Sequence, residues 1–308
     1  MFKYTNVAVT GKKTLYNFSV VKYNTAITSG AKPRKKEKSQ MKKIIALLLA
    51  VLMVLAFAGC GAQDTASGSK AARTFIMGID SEYPPFSYID DNGDYAGFDV
   101  EVCKAVCDIL GWDFEVFAVN WDQKLVQLDA KECDCVWSGM TILDSMKEAG
   151  YVISEPYYDN TQVLVVGANS GIKTSADLAG KVVAVQLGTS GEALLNGDMS
   201  DLKDSFKELV TCDSFLKCFT ELEGNAVDAV FVDYPVAKSY VEGKEDKLAI
   251  INEELGAEQY GIAFRKGDDE TCKAVEGAVK ELVENGKYAE IAANYPDIVN
   301  NLLFINGD

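Results

Sequence analysis

No histidine occurs among the 308 residues. Ser–His and Cys–His nucleophile pairs and every His-ligated metal site are therefore excluded. No P-loop is present either, so this chain does not hydrolyse ATP by that machinery. Cysteine occurs eight times, yet no two cysteines stand at the C-x-x-C spacing of zinc ribbons and dithiol redox sites. Arginine is scarce: only Arg73 and Arg265 follow residue 60. The longest uncharged apolar run, residues 44–58, falls short of the ~20 residues that a membrane-spanning helix requires. Positive charge is in deficit as well, and unevenly. Residues 1–59 hold 11 of the 30 Lys and Arg residues and one of the 46 acids, so the remainder carries a net charge of −26. Such a surface repels nucleic acid and anionic lipid heads, and nucleic acid is not an expected partner.

What is present begins with Met41-Lys42-Lys43, the apolar run, and then Gly59-Cys60. Two lysines, a short apolar segment and small residues before a cysteine form an export signal, and Ala58-Gly59-Cys60 resembles a bacterial lipobox, with Phe57 where that pattern prefers leucine. Cleavage would leave Cys60 as the N-terminus, where a thioether-linked diacylglycerol would hold the chain on the outer face of the cell membrane. Residues 1–40 show no sustained period, and their basic run abuts Met41. The expected organisation is therefore an upstream extension over 1–40, a lipoprotein signal peptide over 41–59, and an Ala- and Ser-containing tether over 60–72.

From residue 74 onward, apolar runs alternate with amphipathic stretches. Strands are expected over 74–79, 113–117 and 133–138, with helices over 99–110, stopped by Gly111, and 122–128. A second such set has strands over 181–185, 208–211 and 229–232, a helix opening after Gly188-Thr189-Ser190, one over 215–223, and one from Tyr234. The βαβ rhythm, stated twice, predicts two α/β lobes. Extended segments over 162–166 and 259–264 read as the crossings between them, and helices over 269–284 and 288–295 close the first lobe. The lobes are thus expected over 73–165 plus 260–308 and over 166–259.

Resemblance to a family becomes specific at Gly78-Ile79-Asp80-Ser81-Glu82-Tyr83-Pro84-Pro85-Phe86, followed by Gly97-Phe98-Asp99-Val100-Glu101. Trp121, the stretch DCVWSGMT ending at Thr141, Ser154-Glu155-Pro156-Tyr157, Gln186-Leu187-Gly188-Thr189-Ser190 and Asp228-Ala229-Val230-Phe231-Val232-Asp233 continue it. Over residues 73–296 the chain resembles the polar-amino-acid type of ABC-transporter solute-binding protein, the bacterial extracellular solute-binding family three. The resemblance implies a periplasmic-binding-protein fold, in which two α/β lobes joined by a two-strand hinge close on a ligand cleft. It further implies a small amino acid or amine as ligand, separate permease and ATPase subunits as partners, no cofactor, no metal, and a monomer.

A zwitterionic amino acid needs an anion near its ammonium and donors around its carboxylate. Asp80 and Asp233 follow apolar strands, where α/β sheets present ligand sites, although either could be a turn or capping carboxylate. By resemblance Asp233 accepts the α-ammonium and Asp80 touches the ligand's polar side. Thr189 and Ser190 at a helix start would bind the carboxylate, or serve as a plain N-cap. Ser138, Gly139 and Thr141 would supply facing donors from the first lobe, and Tyr83 and Trp121 the walls around the ligand side chain, unless they are ordinary core. One departure stands out. Relatives carry an arginine five positions after this threonine, gripping the α-carboxylate, and here the position is Met146. Either Lys147 turns into the vacancy or the ligand lacks a free α-carboxylate.

The seven cysteines after Cys60 cannot all pair within one chain. Cys103 and Cys107 share one helix face and read as small core residues, while Cys212 and Cys218 could form a disulfide on the export side. Three functions compete: a receptor for an ABC importer, a cyclohexadienyl-dehydratase-like enzyme on the same fold, and a ligand-sensing module.

Overall fold

The computed structural model describes residues 73–251 and 253–305, all within one compact unit. The extension, signal, Cys60 and tether lie outside these residues. Strand Thr74–Ile79 seeds a five-stranded sheet, pairing in parallel with Asp113–Ala118 on one side and Cys135–Val136 on the other. Ala263–Phe264 then runs antiparallel between Cys135–Val136 and Val152–Ile153. The second sheet repeats this plan: Val182–Gln186 lies parallel between Glu208–Cys212 and Ala229–Asp233, and the antiparallel strand Tyr158–Gly167 joins the last of these to Leu248–Ile251. Ala229–Asp233 is buried at every residue, as a strand covered on both faces must be.

Helix Phe98–Leu110 packs on the first sheet because Val102, Cys103, Val106 and Cys107 fall on one stripe at helical spacing. It ends where Gly111 turns left-handed and donates its N–H to the Cys107 carbonyl. Helix Asp269–Glu284 lies against it. All seven cysteines among the described residues are buried free thiols. Cys212 and Cys218 are likewise free thiols, both buried in the apolar core, and not the disulfide that the sequence left open.

The crossing between lobes differs from the expected one. Residues 162–166 are no mere connector but the interior of strand Tyr158–Gly167, paired to Ala229–Asp233. The hinge pairing lies just before, where residues 158–161 run antiparallel to Ala257–Tyr260. The boundary expected at 165/166 therefore falls inside a strand of the second sheet. An apolar run cannot announce this, because a buried central strand and a buried connector carry the same residues. At the hinge, the rings of Phe86, Tyr158 and Tyr260 pack mutually, all fully buried, with Tyr158 and Tyr260 stacked at 5.3 Å. The strand expected over 133–138 is only Cys135–Val136 long. Beyond it the chain turns out of the sheet through Gly139, whose φ of 52° is left-handed.

Candidate functional site

The parallel strands of both sheets end facing one another, so Asp80, Ser138, Gln186 and Asp233 converge between the lobes. The lobes are closed. Thr141 donates its hydroxyl to Ser190 Oγ at 3.1 Å, Gln186 Nε2 to Asp80 Oδ2 at 2.6 Å, and Lys124 Nζ to the Gly188 carbonyl at 2.6 Å. The approach is tight at Gly188, where a Cβ would lie 2.6 Å from the Asp122 Cα.

Between them lies a small, partly open cavity of about 30 Å³. That volume holds roughly two waters and no amino acid, so a ligand must open the cleft by moving the lobes. First-lobe residues Tyr83, Trp121, Lys124, Gly139, Thr141 and Met146 line it, facing Gly188, Thr189, Ser190 and Asp233.

Asp233 ends its strand and stands at the N-cap of helix Tyr234–Val241, yet its carboxylate makes no capping bond. Asn160 Nδ2 at 2.7 Å, Gln162 Nε2 at 2.8 Å and the Tyr260 hydroxyl at 2.9 Å all donate to one oxygen, Oδ1. The same two amides also donate to Glu258. Burial first, and then the negative charge of Glu258, hold the Asp233 carboxyl well above the usual carboxylate range. Tyr83 extends this chain through a hydroxyl contact of 2.8 Å to Tyr260. Its ring lies 6.5 Å from that of Trp121 at an interplanar angle of 15°, so the two form near-parallel walls.

Other expected ligand contacts are occupied within the protein. Asp80 is buried but does not line the cavity; its carboxylate accepts from Gln186 and from the Glu82 N–H, and burial raises its pKa. The Ser138 hydroxyl is fully buried and accepts from the Asp80 N–H at 3.0 Å. Gly139 spends its N–H on Asp99 Oδ2 at 2.8 Å, and a Cβ here would come within 2.4 Å of the Tyr83 ring. Thr189 donates to the Gln186 carbonyl and caps Glu192 N, the plain N-cap role, although it also lines the cavity.

Lys147 is not in the site. It is exposed on the short helix Asp144–Glu148, whose one buried residue is Met146. Successive helical residues point about 100° apart, so only one of the two can face the cleft. Here that residue is the methionine.

Asn160, Gln162, Tyr260 and Glu258 around Asp233 escaped the sequence reading, and so did two residues of the first lobe. Asp99 accepts from the Tyr157 hydroxyl at 2.7 Å as well as from Gly139, and burial pushes its carboxyl up to about 7. It pins the loop that carries the first-lobe lining. Lys124 enters from the helix behind Trp121, its Nζ 4.5 Å from the indole centroid. The sequence places Lys124 three residues after a wall residue at a helix start, a spacing that puts two side chains on one face, but it does not say that this face meets the opposite lobe.

The sequence profile of the bacterial extracellular solute-binding proteins, family 3, matches residues 75–297. The L-cystine-binding protein of Escherichia coli (strain K12) is 33% identical over 246 residues, covering 78% of this chain and 90% of that protein. The arginine-binding extracellular protein of Bacillus subtilis (strain 168) is 31% identical over 259 residues, covering 82% and 96% respectively. Among solved structures, an ABC uptake transporter substrate-binding protein from Streptococcus pneumoniae with bound histidine superposes with a TM-score of 0.70 at 28% identity, covering 73% of this chain and 94% of that one. These relatives are binding proteins rather than enzymes.

Proposed function

This chain belongs to the bacterial extracellular solute-binding proteins of family 3, and we propose that it captures a small amino acid outside the cytoplasm and hands it to the permease and ATPase subunits of an ABC importer. One observation carries the ligand assignment. Asp233 Oδ1 collects three neutral donors, no cation pairs with the carboxylate among the described residues, and the group borders the cavity with Oδ2 outside those bonds. A buried carboxylate so arranged is unfavourable until a cation reaches it, and an ammonium supplies one. Closure by hydrogen bonds between the lobes then couples binding to a shape that a membrane partner can read.

A thermal-unfolding screen over the twenty amino acids and L-cystine tests this. A ligand at 100 times its dissociation constant should stabilise the protein by about 2.7 kcal/mol. Failure of every compound to stabilise it would end the reading.

Attachment to the membrane is assigned to lipid on Cys60, since a surface of net charge −26 has little attraction for anionic lipid. Cys60→Ser should leave the membrane fraction or persist as uncleaved precursor. A processed, lipid-labelled Cys60→Ser protein would refute the assignment.

A further inference from the structure

We propose that Lys124 is the cation that reads the α-carboxylate of the amino acid. The inference rests on the amino-acid reading above and goes beyond it by assigning the second charge of the ligand. Among the residues lining the cavity there is one acid, Asp233, and one base, Lys124. They come from opposite lobes and form no ion pair with each other. An α-amino acid carries one ammonium and one carboxylate on a single carbon, so one acid and one base across a small cavity are its complement.

The ammonium of Lys124 has no anion of its own. It donates to the Trp121 carbonyl at 3.1 Å and the Gly188 carbonyl at 2.6 Å, which accounts for two of its three protons. Asp122, Asp80 and Glu192 attract it from nearby, but each is engaged elsewhere: Asp122 by Gln123 Nε2, Asp80 by Gln186 Nε2, and Glu192 by the Gly188 N–H. None makes an ion pair with Lys124 among the described residues. Burial lowers the Lys124 ammonium to about 8, so it still bears its charge at neutral pH, where a carboxylate beside it would be strongly favoured. The Ser190 hydroxyl, which accepts from Thr141 across the cleft, adds a donor in the same cavity. The face of the Trp121 indole holds the Lys124 ammonium by a cation–π contact.

Lys124→Met keeps the stem and removes the charge. Calorimetry on the wild type and this variant would use the twenty amino acids, L-cystine, and the decarboxylated amine of each binder. The wild type should prefer an amino acid over its amine. The variant should lose amino-acid affinity on the order of 100-fold, as expected when one partner of a buried pair is removed, while its affinity for the amine stays within a few-fold. Without ligand, Lys124→Met should lower the unfolding temperature only slightly, because it gives up bonds to the Trp121 and Gly188 carbonyls but breaks no ion pair and relieves the burial of a charge. Amino-acid affinity retained within about threefold would overturn the proposal, as would an equal loss for amino acid and amine with a strongly lowered unfolding temperature, the mark of a mere inter-lobe latch. A wild type that binds only acidic amino acids, with a variant that switches to their amides, would reassign Lys124 to a side-chain carboxylate and likewise overturn it. Preference of the wild type for amines would overturn Lys124 as a carboxylate reader and leave solute capture standing, whereas binding of no compound would overturn both.

Discussion

Asp233→Asn is expected to weaken an ammonium-bearing ligand by about 3–5 kcal/mol, a factor of roughly 10² to 10⁴, without destabilising the unliganded protein at neutral pH. The substitution keeps an acceptor at Oδ1 for Asn160, Gln162 and Tyr260 and puts an amide N–H₂ where Oδ2 stands. That group repels an ammonium. In the unliganded fold the Asp233 carboxyl is raised by burial and by Glu258, so its ionisation opposes folding: its contribution is fullest below the unfolded carboxylate pKa and is lost as pH rises through the folded one. Asparagine removes this penalty. Ligand reverses the sign, since an ammonium favours the charged carboxylate, so wild-type affinity should fall as the pH is lowered and that of Asp233→Asn should not. Titration calorimetry and thermal unfolding across pH read both effects. Unchanged affinity in Asp233→Asn would remove this residue from the site.

Asp99→Ala should destabilise the protein by about 2–4 kcal/mol at acidic pH, because it strips an acceptor from two buried donors, the Gly139 N–H and the Tyr157 hydroxyl. The pH dependence is the sharper signature. With its folded pKa raised to about 7, Asp99 favours folding most where it is neutral in both states, below about pH 4, and that contribution is lost as pH climbs to 7. The stability gap between wild type and Asp99→Ala should therefore be largest near pH 4 and narrow towards pH 7. The other buried carboxyls are common to both proteins and cancel. Denaturant unfolding at several pH values measures the gap, and one that widens with pH would show that Asp99 is held as a stabilised anion instead. Ligand affinity should drop as well, since the loop tied by Asp99 forms the Gly139-to-Thr141 wall.

Much of the fold could be read in one dimension. Strand Thr74–Ile79 and helices Phe215–Glu223 and Asp269–Glu284 match their expected bounds, because each is set by a local period and by stop signals within the segment itself. Asp233 was legible for a similar reason: an apolar strand followed by an acid and then Tyr-Pro marks a strand end leading into a helix. The hinge was less so, since residues 158–161 and 162–166 form one strand with two sets of partners, and pairing partners lie far away in sequence.

The polar groups of the cleft divide along the same line. That Ser138, Thr189 and Asp80 could donate or accept follows from residue type; that their bonds are taken by Asp80 N, the Gln186 carbonyl and Gln186 Nε2 depends on loops brought together from 58 to 106 residues apart or on a turn's own geometry. The choice between two lysines shows the limit most clearly. Lys147 adjoins Met146, where the family resemblance implies an arginine, but the helical twist sends it to solvent. Lys124 lies 23 residues before Lys147 and reaches the cavity only because the second lobe closes until the Gly188 carbonyl meets it. The sequence by itself determined the two-lobed α/β chain and the acid at its cleft, since periodicity and strand ends are local. Which cation faces that acid was decided by the tertiary structure alone, because a charge is placed by the direction of its side chain and the approach of the opposite lobe, and neither is written at the residue itself.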